Sequence, residues 1–214
     1  MADGEEKQPI GMSLQQDTGT LEWKSLQCSG NLPSARSGHS VSVCGNFLYM
    51  FGGCSDDEID IGPNNDMYIA RLESIEAKSS TRWELAVCGG EAPLPRWGHT
   101  ANVVDKTQIF IIGGFHSDTN RFNDVHIFDA KKKIWSQPLD AMADFTPRGN
   151  HIPRRGSQAV PAPRGGHTAN LMGRNLVVFG GFGGGGYGRK DFNDITVFNV
   201  GELQGAKRPQ LQGR

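Results

Sequence analysis

Long apolar runs are missing from this chain. No stretch approaches the roughly 18 residues a membrane-spanning helix needs, and no run of helix formers keeps a 3.6-residue period. The opening residues, MADGEEKQPIGM, are acidic and polar, without the apolar centre of a secretory signal. Charge of one sign is missing too. The 22 Lys and Arg nearly balance 23 Asp and Glu, leaving a formal net charge of −1. No global basic field therefore draws the protein onto nucleic acid or anionic membrane. Cysteine is scarce: Cys28, Cys44, Cys54 and Cys88 form no CxxC pair and no zinc-like spacing. Asn-x-Ser/Thr acceptors do not occur. Together these absences lead to the expectation of a reduced, cytoplasmic protein, with the nucleus open, and with neither a nucleic-acid nor a membrane partner.

Glycine is what the chain has in excess, 29 of 214 residues, and its placement is periodic. Arg-x-Gly-His occurs three times, from Arg36 to His39, from Arg96 to His99 and from Arg164 to His167. The copies lie 60 and then 68 residues apart. An apolar strand follows each, then a short polar turn and a second strand ending in two glycines: FLYMFGG (47–53), IFIIGG (109–114) and LVVFGG (176–181). After a polar loop comes Asn-Asp and a third strand, NDMYIARL (65–72), NDVHIFDA (123–130) and NDITVFNV (193–200). A tryptophan-centred fourth strand follows twice, RWELAV (82–87) and IWSQPL (134–139). Four short strands per unit with glycine-marked turns is the pattern of a β-propeller blade. The double glycines (Gly52-Gly53, Gly113-Gly114, Gly180-Gly181) mark backbone that packs closely or takes φ > 0.

On these residues, with Trp83 and Trp135, the chain resembles the intracellular kelch-repeat β-propellers, over residues 20–200. The aromatic expected midway along the third strand is Tyr68, then His126, then Thr196, which implies looser packing around the last two. The organisation expected is an N-terminal tail (1–19), a lone fourth strand around Trp23 (20–27), blade 1 (36–87) and blade 2 (96–139). A basic interblade insertion (140–163), the first three strands of blade 3 (164–200) and a flexible C-terminal tail (201–214) complete it. The lone strand aligns without a gap on the segment around Trp83, Cys28 falling on Cys88. The fold class is thus all-β, three four-stranded kelch blades in permuted form. That is a partial propeller or half of a six-bladed ring, since closed rings need about four to eight blades. Either two copies close the ring as a homodimer, or further blades come from another chain or a longer precursor.

Alternating antiparallel strands put the second-to-third loops and the interblade connections on one face. That face carries the long loops, where binding residues usually reside. Asp56, Asp57, Glu58 and Asp60 make one side acidic. Arg148, Arg154, Arg155, Arg189 and Lys190 make another basic, and His116, Arg121 and Tyr187 share these loops. The expectation is a non-catalytic protein-interaction module that holds a partner segment there, acidic or phosphorylated. His99, at the start of a first strand, is expected to hydrogen-bond within its own blade.

Two other classes stay open. One is a metal-dependent kelch enzyme, of the galactose-oxidase or iron-assisted specifier type, and the other a purely architectural subunit. The resemblance implies a Tyr–Cys cross-link and histidine ligands for the first enzyme type, and Tyr49, Tyr68 and Tyr187 match no such constellation. No catalytic residue, cofactor or metal is assigned. His39, His99 and His167 are read as one structural joint used three times, not as ligands of one ion. The Gly181-Phe182-Gly183-x-x-Gly186 run fits a dinucleotide fingerprint in spelling only, because it leads into a strand and not a helix.

Overall fold

The computed structural model describes residues 23, 25–57, 60–72, 80–138, 161–185 and 188–201. Among them there is no helix of more than one turn, and the strands assemble blade by blade. Blade 1 contains β3 (Ser40–Cys44), β4 (Phe47–Phe51), β7 (Met67–Arg71) and β8 (Ser80–Leu85), each antiparallel to the next. Blade 2 repeats this with β10 (Thr100–Val104), β11 (Gln108–Phe115), β12 (Arg121–Asp129) and β13 (Ile134–Ser136). Among the described residues blade 3 has three strands, β14 (Thr168–Met172), β15 (Asn175–Phe179) and β18 (Ile195–Asn199). The first strands β3, β10 and β14 lie side by side as the innermost layer. The described blades do not close a ring. The chain is a partial propeller.

Why the second strands carry no polar alternation follows from this arrangement. Blade 2 is covered on both faces, and seven of the eight residues of β11 are buried. One core lies between blades 1 and 2, where Tyr49, Phe51 and Met67 meet Ile109, Ile111 and Trp135. A second lies between blades 2 and 3, where Phe110, Ile112 and Val125 meet Leu176, Val178 and Val200. Trp135 is 3% exposed, stacked between Phe51 and Phe128 at ring distances of 5.0 and 4.9 Å.

Three expectations need correction. First, the lone strand expected at 20–27 falls partly outside the described residues, and the segment after it, for which no strand was expected, forms one. A shorter β1 (Gln27–Gly30) runs parallel to β8 instead, Gly30 opposite Trp83. β9 (Gly89–Gly90) does the same on blade 2, Gly90 opposite Trp135. The chain leaving one blade thus lies along the outer edge of the next before entering it. Only glycine fits there: a Cβ on Gly30 or Gly90 would collide with the carbonyl oxygen of the facing tryptophan. Second, the second-to-third loops are partly strands. β5 (Cys54–Asp57) and β6 (Asp60–Pro63) form a hairpin that β2 (Arg36–Ser37) joins. β16 (Phe182–Gly183) and β17 (Lys190–Asp191) form the equivalent on blade 3. Third, packing is not loose at His126, which is 4% exposed and held by Asp124 and Gln137 at 3.0 and 2.8 Å. At Thr196 the hydroxyl is buried with no partner among the described residues. The tail at 1–19, the residues 202–214 and most of the basic insertion lie outside the described residues.

Each blade is latched by its repeated arginine. Arg96 is fully buried; its guanidinium binds both carboxylate oxygens of Asp124 at 2.6 and 2.9 Å and the Gly113 carbonyl at 3.0 Å. Its Nε donates to the Leu94 carbonyl, and its face lies 4.1 Å from the centre of Phe122. Arg164 repeats every contact with Asp194, Gly180, Ala162 and Phe192. Arg36 reaches Asp66 at 2.6 Å and Gly52 at 3.2 Å. The Asn-Asp element and the first glycine of each pair therefore serve one buried cation. Burial works against the charged form of Asp124, but the hydrogen bonds from Arg96 and His126 prevail and hold its pKa down at about 2. Replacing Arg96 by Ala strands that carboxylate, and a loss of about 3–5 kcal/mol is expected. Arg174→Ala, which breaks the exposed pair with Asp105, should cost under about 1 kcal/mol. Chemical denaturation of both variants checks the contrast; equal losses would contradict it.

Candidate functional site

The Arg-x-Gly-His joint reaches across blades. His99 Nε2 shares a hydrogen bond of 2.8 Å with the hydroxyl of Ser40 in blade 1, and His167 Nε2 one of 3.0 Å with Thr100 in blade 2. The bond expected inside the blade is therefore between blades. Its reason is position: each histidine begins an innermost strand, where the nearest hydroxyl heads the strand before. Backbone bonds run beside it. Gly98 N–H donates to the Gly38 carbonyl, and Gly166 N–H to that of Gly98. Gly53 N–H donates to the Arg96 carbonyl and Gly114 N–H to that of Arg164. The Asn65 and Asn123 side-chain amides donate to the Pro93 and Pro161 carbonyls. Among the described residues His39 binds its own turn, Nδ1 lying 3.2 Å from the Arg36 carbonyl oxygen, and is exposed. The three rings thus sit in different settings, and among the described residues no three potential metal ligands gather.

Beside this joint, on the loop-rich face, three rings form a ladder. Trp97 lies 4.6 Å from Phe115, and Phe115 lies 4.7 Å from Phe182. Trp97 and Phe115 bond each other through both backbone N–H groups, as do Gly165 and Phe182. Gly165 takes the position of Trp97 one blade on, and a Cβ there would run into the Phe115 ring. Two arginines lie on these rings. Arg121 stands 5.3 Å from Phe115 and 5.9 Å from Phe182, and Arg189 stands 4.1 Å from Phe182. Arg121 donates to the Asp118 carbonyl at 2.6 Å, while its Nε is buried with no acceptor among the described residues. Arg189 is exposed and pairs with Asp191 at 3.3 Å.

Of the residues singled out in the sequence, the structure brings Arg121 and Arg189 together around Phe182. Lys190 lies in β17 with its ammonium 5.7 Å from the Phe192 ring. His116 turns inward, its Nδ1 2.9 Å from the Pro95 carbonyl oxygen. Asp56 and Asp57 belong to the hairpin strand β5 of blade 1. Glu58, Arg148, Arg154, Arg155 and Tyr187 lie outside the described residues. The ladder itself was not read from the sequence. Its signal is the residue after each double glycine: Cys54, Phe115, Phe182.

The repeated Arg-x-Gly-His, double glycine and Asn-Asp are now each tied to a blade contact, and a family model carries the same repeats. The "KLHDC2/KLHL20/DRC7 Kelch-repeats domain" matches residues 4–157 and again 83–214. The chain belongs to the kelch-repeat family. The "Dynein alpha chain, flagellar outer arm" of Chlamydomonas reinhardtii is 30% identical over 184 residues, 86% of this chain and 4% of that one. "Acyl-CoA-binding domain-containing protein 4" of Arabidopsis thaliana is 28% identical over 198 residues, 92% of this chain and 25% of the relative. Human "Host cell factor 1" is 31% identical over 175 residues, 75% of this chain and 8% of the relative. The kelch chain therefore spans a quarter or less of the length of these relatives.

The buried kelch histidines make blade contact sensitive to acid. Burial, with the Arg96 charge nearby, pushes His99 down to about 3; burial and Arg164 push His167 down to about 4. In the unfolded chain both take a proton near pH 6.5. Between these values the unfolded state binds more protons, so the stability present above about pH 6.5 is lost as pH falls. The slope is at most about 1.4 kcal/mol per pH unit for each histidine. Thermal melts should show Tm dropping from pH 6.5 to 5, and the His99→Gln, His167→Gln double variant should flatten that slope. A wild-type Tm that is level over this window would contradict the assignment.

Proposed function

We propose that this kelch chain is a non-catalytic protein-interaction module whose loop-rich face takes an acidic segment of a protein partner, with or without a phosphate. The family supports the general reading, since kelch repeats serve mainly in protein interaction. One observation carries the finer one: Arg121 and Arg189, from neighbouring blades, both lie over the Phe182 ring, 5.9 and 4.1 Å from its centre. Stacking uses the flat face of a guanidinium and leaves edge N–H groups for a carboxylate or phosphate. It also fixes the side chain in advance, which lowers the ordering cost of binding. Blades below supply a rigid support, as binding surfaces on loops require.

Selection of a displayed peptide library against the chain tests this. Peptides rich in Asp and Glu should be enriched, and their affinity should fall with added salt. Arg189→Glu alters an exposed side chain, so it should leave Tm within a few degrees of wild type. It should weaken the selected peptides by about tenfold or more, one charge-assisted contact being worth about 1.5–3 kcal/mol. Peptides without acidic bias, or binding unchanged by Arg189→Glu, would overturn the reading.

A further inference from the structure

At the end opposite the loop-rich face, blade 2 departs from its neighbours in a way that the fold does not require. The turn from first to second strand is Gly45-Asn46 in blade 1 and Gly173-Arg174 in blade 3, and both glycines take left-handed backbone, φ +58° and +59°. Blade 2 has Asp105-Lys106-Thr107 there, with Asp105 at φ +50° and Lys106 at +62°. Its third-to-fourth turn (130–133) closes on Lys133 at φ +55°. Among the described residues these three are the only non-glycine residues with positive φ. A side chain enters that region at a cost that glycine avoids, and aspartate tolerates it better than lysine does. Backbone held against its local preference gathers at functional surfaces. What it secures here is two lysines at one end of one blade.

The surroundings fix these turns and leave most of their lysines unpaired. The Asp105 carboxylate is taken by Arg174 of blade 3 at 2.8 and 2.9 Å. Asp129 accepts from the backbone N–H groups of Lys131 and Lys132 at 3.0 Å each and pairs with the Lys132 ammonium at 3.4 Å. Lys106, Lys131 and Lys133 are exposed and have no carboxylate partner among the described residues. The Ala130 N–H donates to the Thr107 carbonyl at 2.8 Å, so the two turns form one platform. A cleft of about 640 Å³ opens beside it, with Lys106, Thr107 and Lys131 of blade 2 and Gly45 of blade 1 in its walls.

We infer that this platform is a second docking surface, for an acidic run of a protein partner in extended form. Lysine presents a point charge on a flexible stem, so it reads negative charge and not the planar fork of one carboxylate. The two turns lie two strand spacings apart, about 10 Å. Extended backbone of about three or four residues spans that distance, which fits a run of Asp and Glu better than one compact anion. Nucleic acid and anionic membrane fit less well. The net charge is −1, and three unpaired lysines are few beside the roughly six or more phosphate contacts that bind DNA firmly.

NMR titration of the 214-residue chain with a capped hexaglutamate peptide tests this. The amide signals of residues 105–107 and 131–133 should shift, and the shifts should fade with added salt. Arg189→Glu, which acts on the loop-rich face, should leave them in place, so either proposal can fail alone. Lys106→Gly combined with Lys133→Gly should weaken this binding by about fivefold or more. The same variant should raise Tm by about 2 °C or more, because glycine relieves both turns. Lys131→Glu, at an exposed position of ordinary backbone, should weaken binding by a similar factor and leave Tm unchanged. Absence of shifts at these residues would overturn the inference, as would full affinity or a lowered Tm in the glycine double variant. So would tighter binding, at the same residues, of a short DNA duplex or of phosphatidylserine vesicles.

Discussion

A buried guanidinium at the head of each blade is the constraint on which the rest depends. Left unpaired in the interior, a cation of that size would cost several kcal/mol. The repeat answers with an aspartate two strands away, a glycine carbonyl at the end of the second strand and an aromatic face. Arg96 satisfies the demand most fully, with Asp124 bidentate and Phe122 beneath. Because the arginine starts the first strand while aspartate starts the third, the pair fixes how far one strand slides along the other. Register, in sheets packed on both faces, decides which residues enter which core.

Once the arginine is fixed, its backbone becomes the neighbour's anchor. The Arg96 and Arg164 carbonyls accept from Gly53 and Gly114 of the preceding blade. Gly53 and Gly114 have φ of +97° and +105°, and a Cβ on Gly114 would press on His99 and Trp97. The histidine two positions past the arginine's neighbour then lies over the preceding strand's first hydroxyl. So one motif of four residues sets both the blade and the joint between blades, and it also sets the floor on which Phe115 and Phe182 stack. The loop-rich face inherits its order from that floor.

Most of this was legible because it repeats. Arg-x-Gly-His, the double glycines and Asn-Asp carry their spacing in the sequence, so three-strand units and their order followed without coordinates. The joint's direction was not legible: His99 was expected to bond within its blade, because sequence spacing says nothing about which neighbour stands closer. The parallel edge strands β1 and β9 escaped notice because Cys-x-Gly is too short and too poor in β-branched residues to read as strand. The aromatic ladder was hidden by variation, Ser37, Trp97 and Gly165 filling one position with different sizes. Arg121 and Arg189 were legible as charges on long loops, but their stacking depends on Phe182, which the repeat alone does not mark.

Hydrogen exchange of individual glycine amides tests the central claim most directly, that the repeated joint holds blade to blade. In dilute solution Gly53 and Gly114, bonded to the next blade's arginine carbonyl, should exchange slowly and at matching rates. They should open together with Gly98 and Gly166, which bond across the same joints. Gly45, exposed in the turn between β3 and β4, should exchange much faster. Gly53 and Gly114 exchanging as fast as Gly45 would contradict the account, because the joint would then hold nothing that an exposed turn lacks.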